Sequence, residues 1–564
     1  MYIAAATIAI AAFSTSASAQ FYKIDSVDRF VQPLIQVQGI PAENMRIDEL
    51  LRGPRLGGYL LRSASSLNAP LPGNSLIKAA VIAPEYFETT NSNIPFSMND
   101  GALWAGRGRS GRTTAGARLE AGPLRLIVAP EWLSMDNNYW LIRDTTRFYY
   151  PPIQDSARRQ GGLVLPWYAG PYSIDLPLRH GTKPIRTRTW GQSSITLQKY
   201  GAAIGFSAEN EWWGPGIRNA LVLSNNAAGF PHLFIRTAEP LKTRIGTLNA
   251  RLIAGGLTES DWFDTTSTNN HRSISAFAFT VSPSFAPDVE LGAARSVYAT
   301  TSRDMSGLIR ASLFDAFKHV GRPDSRPFED DSLYPGGRDQ IMSLFGRWVL
   351  PADGFETYAE WARYEFPRSL RDMLVAPNHT QGYTLGLQWA RNVGLLRGAV
   401  RLNAELSSVE QSPTFRDRPI GSFYTSRRVV QGYTNRGEAL AAAIGPGASS
   451  QYIAADYIAD NISFGIFAGR IRWNEDIRST ANFPDYLAYC IHDVSLLPGA
   501  RIRLGNRFGY ANVEATYGNR MNAFFQAQSG CIFPNSVRDI RNRTISVTIG
   551  TFTSGRPRHK QSHE

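Results

Sequence analysis

Cysteine is almost absent: the 564 residues hold two, Cys490 and Cys531. That excludes a thiolate metal cluster and leaves one expected disulfide if the chain resides in an oxidising compartment. Long apolar runs are missing as well. After residue 20 the longest stretch is the ten residues Ala439 to Ala448, well short of the roughly 20 residues of a membrane helix, so a helical span is excluded. No Ser/Gly linker or low-complexity tract divides the chain, which favours one large unit over several domains. HExxH, GxSxG and CxxC motifs are lacking, as is any His/Asp/Glu set at metal-ligand spacing. The eight histidines are scattered, and His180, His232, His271, His379 and His492 read as loop or rim residues. Gly106, Gly108 and Gly111 formally match GxGxxG, but no βαβ pattern surrounds them. Neither an enzyme nor a cofactor is expected.

What is present points outward through the cell envelope. Residues 1–19 form an apolar run ending in the small-residue pattern Ala17-Ser18-Ala19, an export signal that leaves a mature chain starting near Gln20. No Lys or Arg precedes that run, which points to a true start further upstream. Glycine (49), phenylalanine (29), tyrosine (23) and tryptophan (12) are abundant while mean hydropathy is −0.23. The net charge of +12 suits acidic partners, and for an exported protein that means acidic polysaccharide or lipopolysaccharide before nucleic acid.

Period-two patterning runs through most of the chain. Val400, Leu402, Ala404 and Leu406 alternate with Arg401, Asn403 and Glu405, giving one oily and one charged face. Met342, Leu344, Trp348 and Leu350 repeat the pattern opposite Ser343 and Arg347. After a turn at Pro351–Gly354, Phe355, Thr357, Ala359 and Trp361 face outward with Glu356, Tyr358 and Glu360 inward. Such strands separate lipid from water, and an antiparallel transmembrane β-barrel follows. About 450 residues at roughly 25 per strand and connection give 16 to 18 strands, wide enough to need a plug or to form a pore.

The expected organisation is a periplasmic helical cap over residues 20–95, a barrel over 96–553 and a polar tail at 554–564. Within the cap, Glu43 to Leu61 reads as a helix with Leu50, Leu51, Leu60 and Leu61 on its apolar positions. First strands near Gly101–Leu119 and Leu124–Leu133 would put the insert 134–192 on the periplasmic side, as a plug folded into the lumen.

The segment Glu209–Ala227, ENEWWGPGIRNALVLSNNA, fits neither ordinary helix nor ordinary strand. Trp212 and Trp213 offer flat rings, Gly214-Pro215-Gly216 a special turn, and Asn225 and Asn226 amide donors and acceptors. These residues bind sugar or lock a plug into the wall. Arg107, Arg109, Arg236 and Arg363 could pair with uronate or phosphate groups, or satisfy lumen carboxylates such as Glu209, Glu211 and Glu360.

Together with NDGALWAGRGRSG (99–111), GPLRLIVAPEW (122–132), GQSSI (191–195), LFGRWVLP with YAEWAR (344–363), HTQGYTLGLQ (379–388) and GYTNRGEALAAAIGPGASSQ (432–451), WWGPG and LSNN give the chain a pattern that resembles the Wzi capsule-assembly proteins. The resemblance implies a plugged, lectin-like barrel of the bacterial outer membrane with 18 strands and periplasmic helices. Its implied role is to bind capsular or other acidic surface polysaccharide and to help retain or assemble it at the cell surface. A monomer in contact with outer-membrane lipid is expected. The alternative reading is a porin-like channel for acidic oligosaccharides.

Overall fold

The computed structural model describes residues 28–551 apart from 33, 35, 39, 53–56, 141–172, 265, 302–313, 318–336, 365–368, 394–397, 417–419, 460, 477–491, 507 and 526–538. The signal peptide, both cysteines and the polar tail therefore lie outside the described residues.

Alternation builds the wall as expected. In Gly398–Ser408 the residues Arg401, Asn403 and Glu405 are buried while Leu402 and Leu406 are exposed. Arg338–Leu350 pairs antiparallel with Phe355–Arg363, Arg347 opposite Tyr358. Lumen-facing Arg347 then ion-pairs at 3.0 Å with Glu356, one diagonal step away. Eighteen antiparallel strands close into a barrel. Leu344, Trp348, Leu385, Leu402, Ile453, Phe464 and Ile466 are among the large apolar side chains on its outer surface. A closed barrel satisfies every wall amide within the sheet while that apolar belt meets hydrocarbon.

Closure corrects the expected domain boundary. The wall begins at Ile77, inside the segment assigned to the cap, because Ile77–Asn91 pairs antiparallel with both Gly108–Ala121 and the last strand, Ile540–Thr551. Its periodicity is disguised by a bulge between Ile82 and Glu85, which moves the exposed positions from Ile77 and Val81 to Tyr86. One extra residue flips the pattern to the other face. Below the bulge the short strand Asp28–Gln32 pairs parallel with Ile77–Asn91, so the seam is shared by the N-terminal segment and the C-terminal strand.

Two further strands are broken. Leu124–Val128 and Glu131–Met135 both pair with Gly108–Ala121, with Pro130 between them unable to donate to a ladder. At the break a Cβ on Gly116 would sit 1.8 Å from the Val128 carbonyl oxygen, so only glycine fits. Ile185–Thr189 and Ser194–Lys199 form the next strand, again interrupted.

Counting from Ile77 reverses the parity. Short turns at 122–123, 200–201, 284–288, 351–354 and 459–461 lie at one end, and the long connections 92–107, 136–184, 208–231 and 409–448 at the other. The described ends of the connection within the insert, 136–140 and 173–184, therefore belong to the long-loop end rather than the short-turn side, and residues Ile185–Thr189 are wall rather than plug. The cap helix also shortens, to Ile40–Arg52, ending before Gly53-Pro54 as the restriction on residues preceding proline requires. Leu60 and Leu61 are buried outside it, Leu61 opening the strand Leu61–Ser63. The helix lies at the short-turn end, where Glu49 meets Arg347 and Glu43 meets Arg401 of the wall.

Candidate functional site

The chain leaves the wall after Ser207 and rejoins it at His232, and the connection between crosses the lumen. Its first residues, Glu211–Trp213, form a strand paired antiparallel with Leu61–Ser63, placing Trp212 opposite Arg62. Trp212 and Trp213 are both 0 % exposed. Trp212 donates its indole N–H to the Gly216 carbonyl at 3.1 Å, and Trp213 donates to Glu211 at 3.1 Å. The Arg62 guanidinium sits 4.3 Å from the Tyr59 ring centroid and 5.0 Å from that of Trp212, and burial pulls its pKa down to about 10.

Wall carboxylates hold the turn that follows. Glu405 accepts backbone N–H groups from Ile217 (2.6 Å), Arg218 (3.1 Å) and Asn219 (2.9 Å), and Tyr358 donates its hydroxyl to the same group at 2.7 Å. Glu360 accepts the Leu221 amide at 3.2 Å. Gly214 has φ +109°, and a Cβ there would lie 2.8 Å from Glu360 Oε2. Glycine is required both for the backbone angle and for the approach of the carboxylate. Arg46, ion-paired with Glu356, donates at 2.7 Å to the Pro215 carbonyl.

The two glutamates of ENEWW face different surroundings. Glu209 accepts from the Ser65 amide (2.7 Å) and hydroxyl (2.8 Å), and burial raises its pKa. Burial pushes Glu211 the same way, but Arg251 at 2.5 Å and His232 hold it below the usual carboxylate range. The SNN triplet fixes the plug to other loops. Ser224 donates to the Ala441 carbonyl at 2.5 Å, Asn225 to Asn99 at 2.8 Å and Asn226 to Ala439 at 2.9 Å. Tyr424 and Tyr433 donate from the 409–448 loop to the Leu221 and Val222 carbonyls at 3.2 and 2.9 Å.

The predicted arginines are not brought together. Arg107 donates to the Tyr139 (2.7 Å) and Ser92 (3.2 Å) carbonyls. Arg109, its side chain 64 % exposed, pairs with Glu88 at 2.7 Å. Arg236 is buried beside the Phe234 ring, and Arg363 is buried at the loop end of its strand. Glu209, Glu211 and Glu360 are instead bonded by Ser65, Arg251 and a plug amide, which replace the expected arginine partners.

Among the cavities bordered by described residues, two bear on the plug's surroundings. One of about 280 Å³ lies at the short-turn side, where Arg112, Arg218, Arg401, Arg501 and Arg503 face Glu43, Glu85, Asp456 and Glu514. Arg401 and Arg501 are drawn to Asp456 and Glu43. The other, about 190 Å³, is a cleft at the long-loop end lined by Trp104, Trp140, Trp473, Phe524, Glu438 and Arg520. Trp104, Trp140, Trp473, Phe524 and Glu438 of this cleft were not singled out as site residues by sequence. A lone acid heading the apolar run EALAAAI was the available signal.

No family model and no curated protein matches the chain. Among solved structures it is similar to Wzi of Escherichia coli, described as an outer membrane protein involved in group 1 capsule assembly and a carbohydrate-binding β-barrel. Identity is 13 %, coverage 83 % of this chain and 84 % of that one, and the TM-score 0.50. Pseudomonas aeruginosa OccK2 (OpdF) aligns at 9 % identity over 84 % and 98 % of the two chains with a TM-score of 0.36. Pseudomonas putida OprB aligns at 10 % identity over 83 % and 93 % with a TM-score of 0.32. With its closed wall and apolar belt, the chain is a β-barrel of the bacterial outer membrane with a Wzi-like fold.

Proposed function

We propose that this protein is a non-enzymatic barrel that binds surface polysaccharide, capsular or similar in kind, and retains it at the cell exterior. The observation that carries this reading is the crossing of the lumen by 208–231, with Glu405 accepting three successive plug amides. Hydrogen bonds to a charged group contribute about 1.5–3 kcal/mol each, so the plug is a poor candidate for a gate that opens at each passage. The carbohydrate binding of the Wzi barrel supports the same reading. Deleting the gene and measuring how surface polysaccharide divides between cell-bound and released fractions tests it. The released fraction is expected to grow, and an unchanged division would falsify retention.

A channel for acidic oligosaccharides has one specific observation in its favour, the five arginines on the short-turn cavity. Planar-bilayer recordings separate the two readings. Retention predicts no large steady conductance from the wild-type protein, and a stable open pore supports the channel.

A further inference from the structure

The loop-end cleft is lined by a carboxyl, that of Glu438, for which the described residues supply no partner. Glu438 lines the cleft and is 9 % exposed. Among the described residues no hydrogen bond or ion pair reaches its side chain, although buried carboxyl groups are normally satisfied. It is held in place by its backbone. Glu438 and Ala439 pair with Thr434 and Asn435 in a two-strand hairpin, and Gly437 at φ +85° packs where a Cβ would come 3.0 Å from Pro177 and Ser260.

Rings with fixed orientations complete the cleft. Trp104 lies 4.4 Å from the His180 ring and Trp140 5.4 Å from Phe524, centroid to centroid. Trp473 donates its indole N–H to Ser495 at 2.8 Å. Arg520 covers Phe524 at 4.0 Å and Trp473 at 5.2 Å while its charge is met by Asp493 at 2.5 Å. The cation lining the cleft is therefore already neutralised, and the cleft offers tryptophan rings and a carboxyl without a partner among the described residues.

We propose that this cleft is a subsite for a single uncharged pyranose unit of the bound polysaccharide, ring face against tryptophan and hydroxyl groups bonded to Glu438. The proposal rests on the retention reading and names where, and by which chemistry, the glycan is held. The size agrees: engineered cavities of about 150 Å³ take a benzene ring, so a cleft of about 190 Å³ takes one sugar ring. Hydroxyl groups both donate and accept, and so does a protonated carboxyl. Burial, followed by the charge of Asp100, raises Glu438 well above the usual carboxylate range. That shift favours the protonated carboxyl, and with Arg520 already paired to Asp493 the cleft gives a uronate no free cation to pair with.

The test uses the full-length protein in detergent and oligosaccharides released by mild acid from the producing cell's own surface polysaccharide, split into neutral and uronate-bearing fractions. Calorimetry is expected to show binding of the neutral fraction. Glu438→Leu, which keeps the volume and removes the bonding atoms, should weaken it roughly tenfold or more, whereas Glu438→Gln should bind like the wild type. The unfolding midpoint of the Leu variant should not fall, because an unpartnered buried polar group is removed. Unchanged affinity in the Leu variant, equal loss in the Gln variant, or binding confined to the uronate fraction each overturns the subsite. Should the wild type bind neither fraction while deletion still releases polysaccharide, the subsite fails and retention stands. Binding at the cleft with no release on deletion overturns retention and upholds the subsite.

Discussion

Trp212 and Trp213 show how far a residue's chemistry can be read without its neighbours. Their ring type and their place before Gly-Pro-Gly marked a special site, with two uses open to flat amphipathic rings: stacking on sugar or locking a plug into the wall. Burial favours the plug-locking use: both rings are 0 % exposed, with N–H groups spent on Gly216 and Glu211. Trp213→Ala is expected to destabilise the protein by about 3–5 kcal/mol through the cavity it leaves, read as a lower urea midpoint. Trp213→Phe should cost less. A Trp213→Ala variant that matches the wild type in stability but loses glycan affinity would return the ring to a binding role. Asn225 and Asn226 are legible in the same limited way, as amides in need of partners, while the partners, Asn99 and Ala439, lie more than a hundred residues away along the chain.

For strands, legibility followed local regularity. Strands such as Arg338–Leu350 and Gly398–Ser408 keep one face to lipid along their length, and their alternation could be read directly. Ile77–Asn91 was lost because its bulge swaps faces in mid-strand. That one omission moved the insert 134–192 to the wrong end of the barrel. Labelling intact cells tests the corrected orientation in a background lacking Cys490 and Cys531. A cysteine replacing Tyr139, exposed in the 136–184 connection, should react with a membrane-impermeant maleimide, whereas one replacing Phe285, exposed in the turn 284–288, should not. The opposite labelling pattern would invert the barrel.

Taken as a whole, the molecule is expected to couple its loop end to proton concentration. Burial raises Asp100 and Asp175 to about 6, and Glu259 and Asp476 to about 7, while it lowers His180 to about 4. In an unfolded chain the carboxyls titrate near 4 and the imidazole near 6.5. Between those values the folded carboxyls hold more protons than the unfolded ones, so their contribution to stability grows as pH falls from about 8 to 5. His180 opposes this, since the unfolded imidazole takes up a proton that the folded one refuses. Four carboxyls outweigh one imidazole, and amide protection of the plug and the 409–448 loop should be greater at pH 5.5 than at pH 7.5 by hydrogen exchange. Equal or weaker protection at the lower pH counts against the coupling.

Sequence by itself determined the membrane-facing architecture, because a strand between lipid and water must alternate residue by residue whatever the rest of the chain does. It also marked WWGPG and SNN as exceptional, since paired tryptophans beside Gly-Pro-Gly and then Ser-Asn-Asn suit neither ordinary helix nor ordinary strand. Only the tertiary structure decided that these residues are interior, that Glu405 rather than an arginine anchors them, and that Glu438 lies in a cleft of rings drawn from separate stretches of chain, with no partner among the described residues. Burial and pairing at such sites depend on residues hundreds of positions apart, and no local pattern records which distant group will arrive.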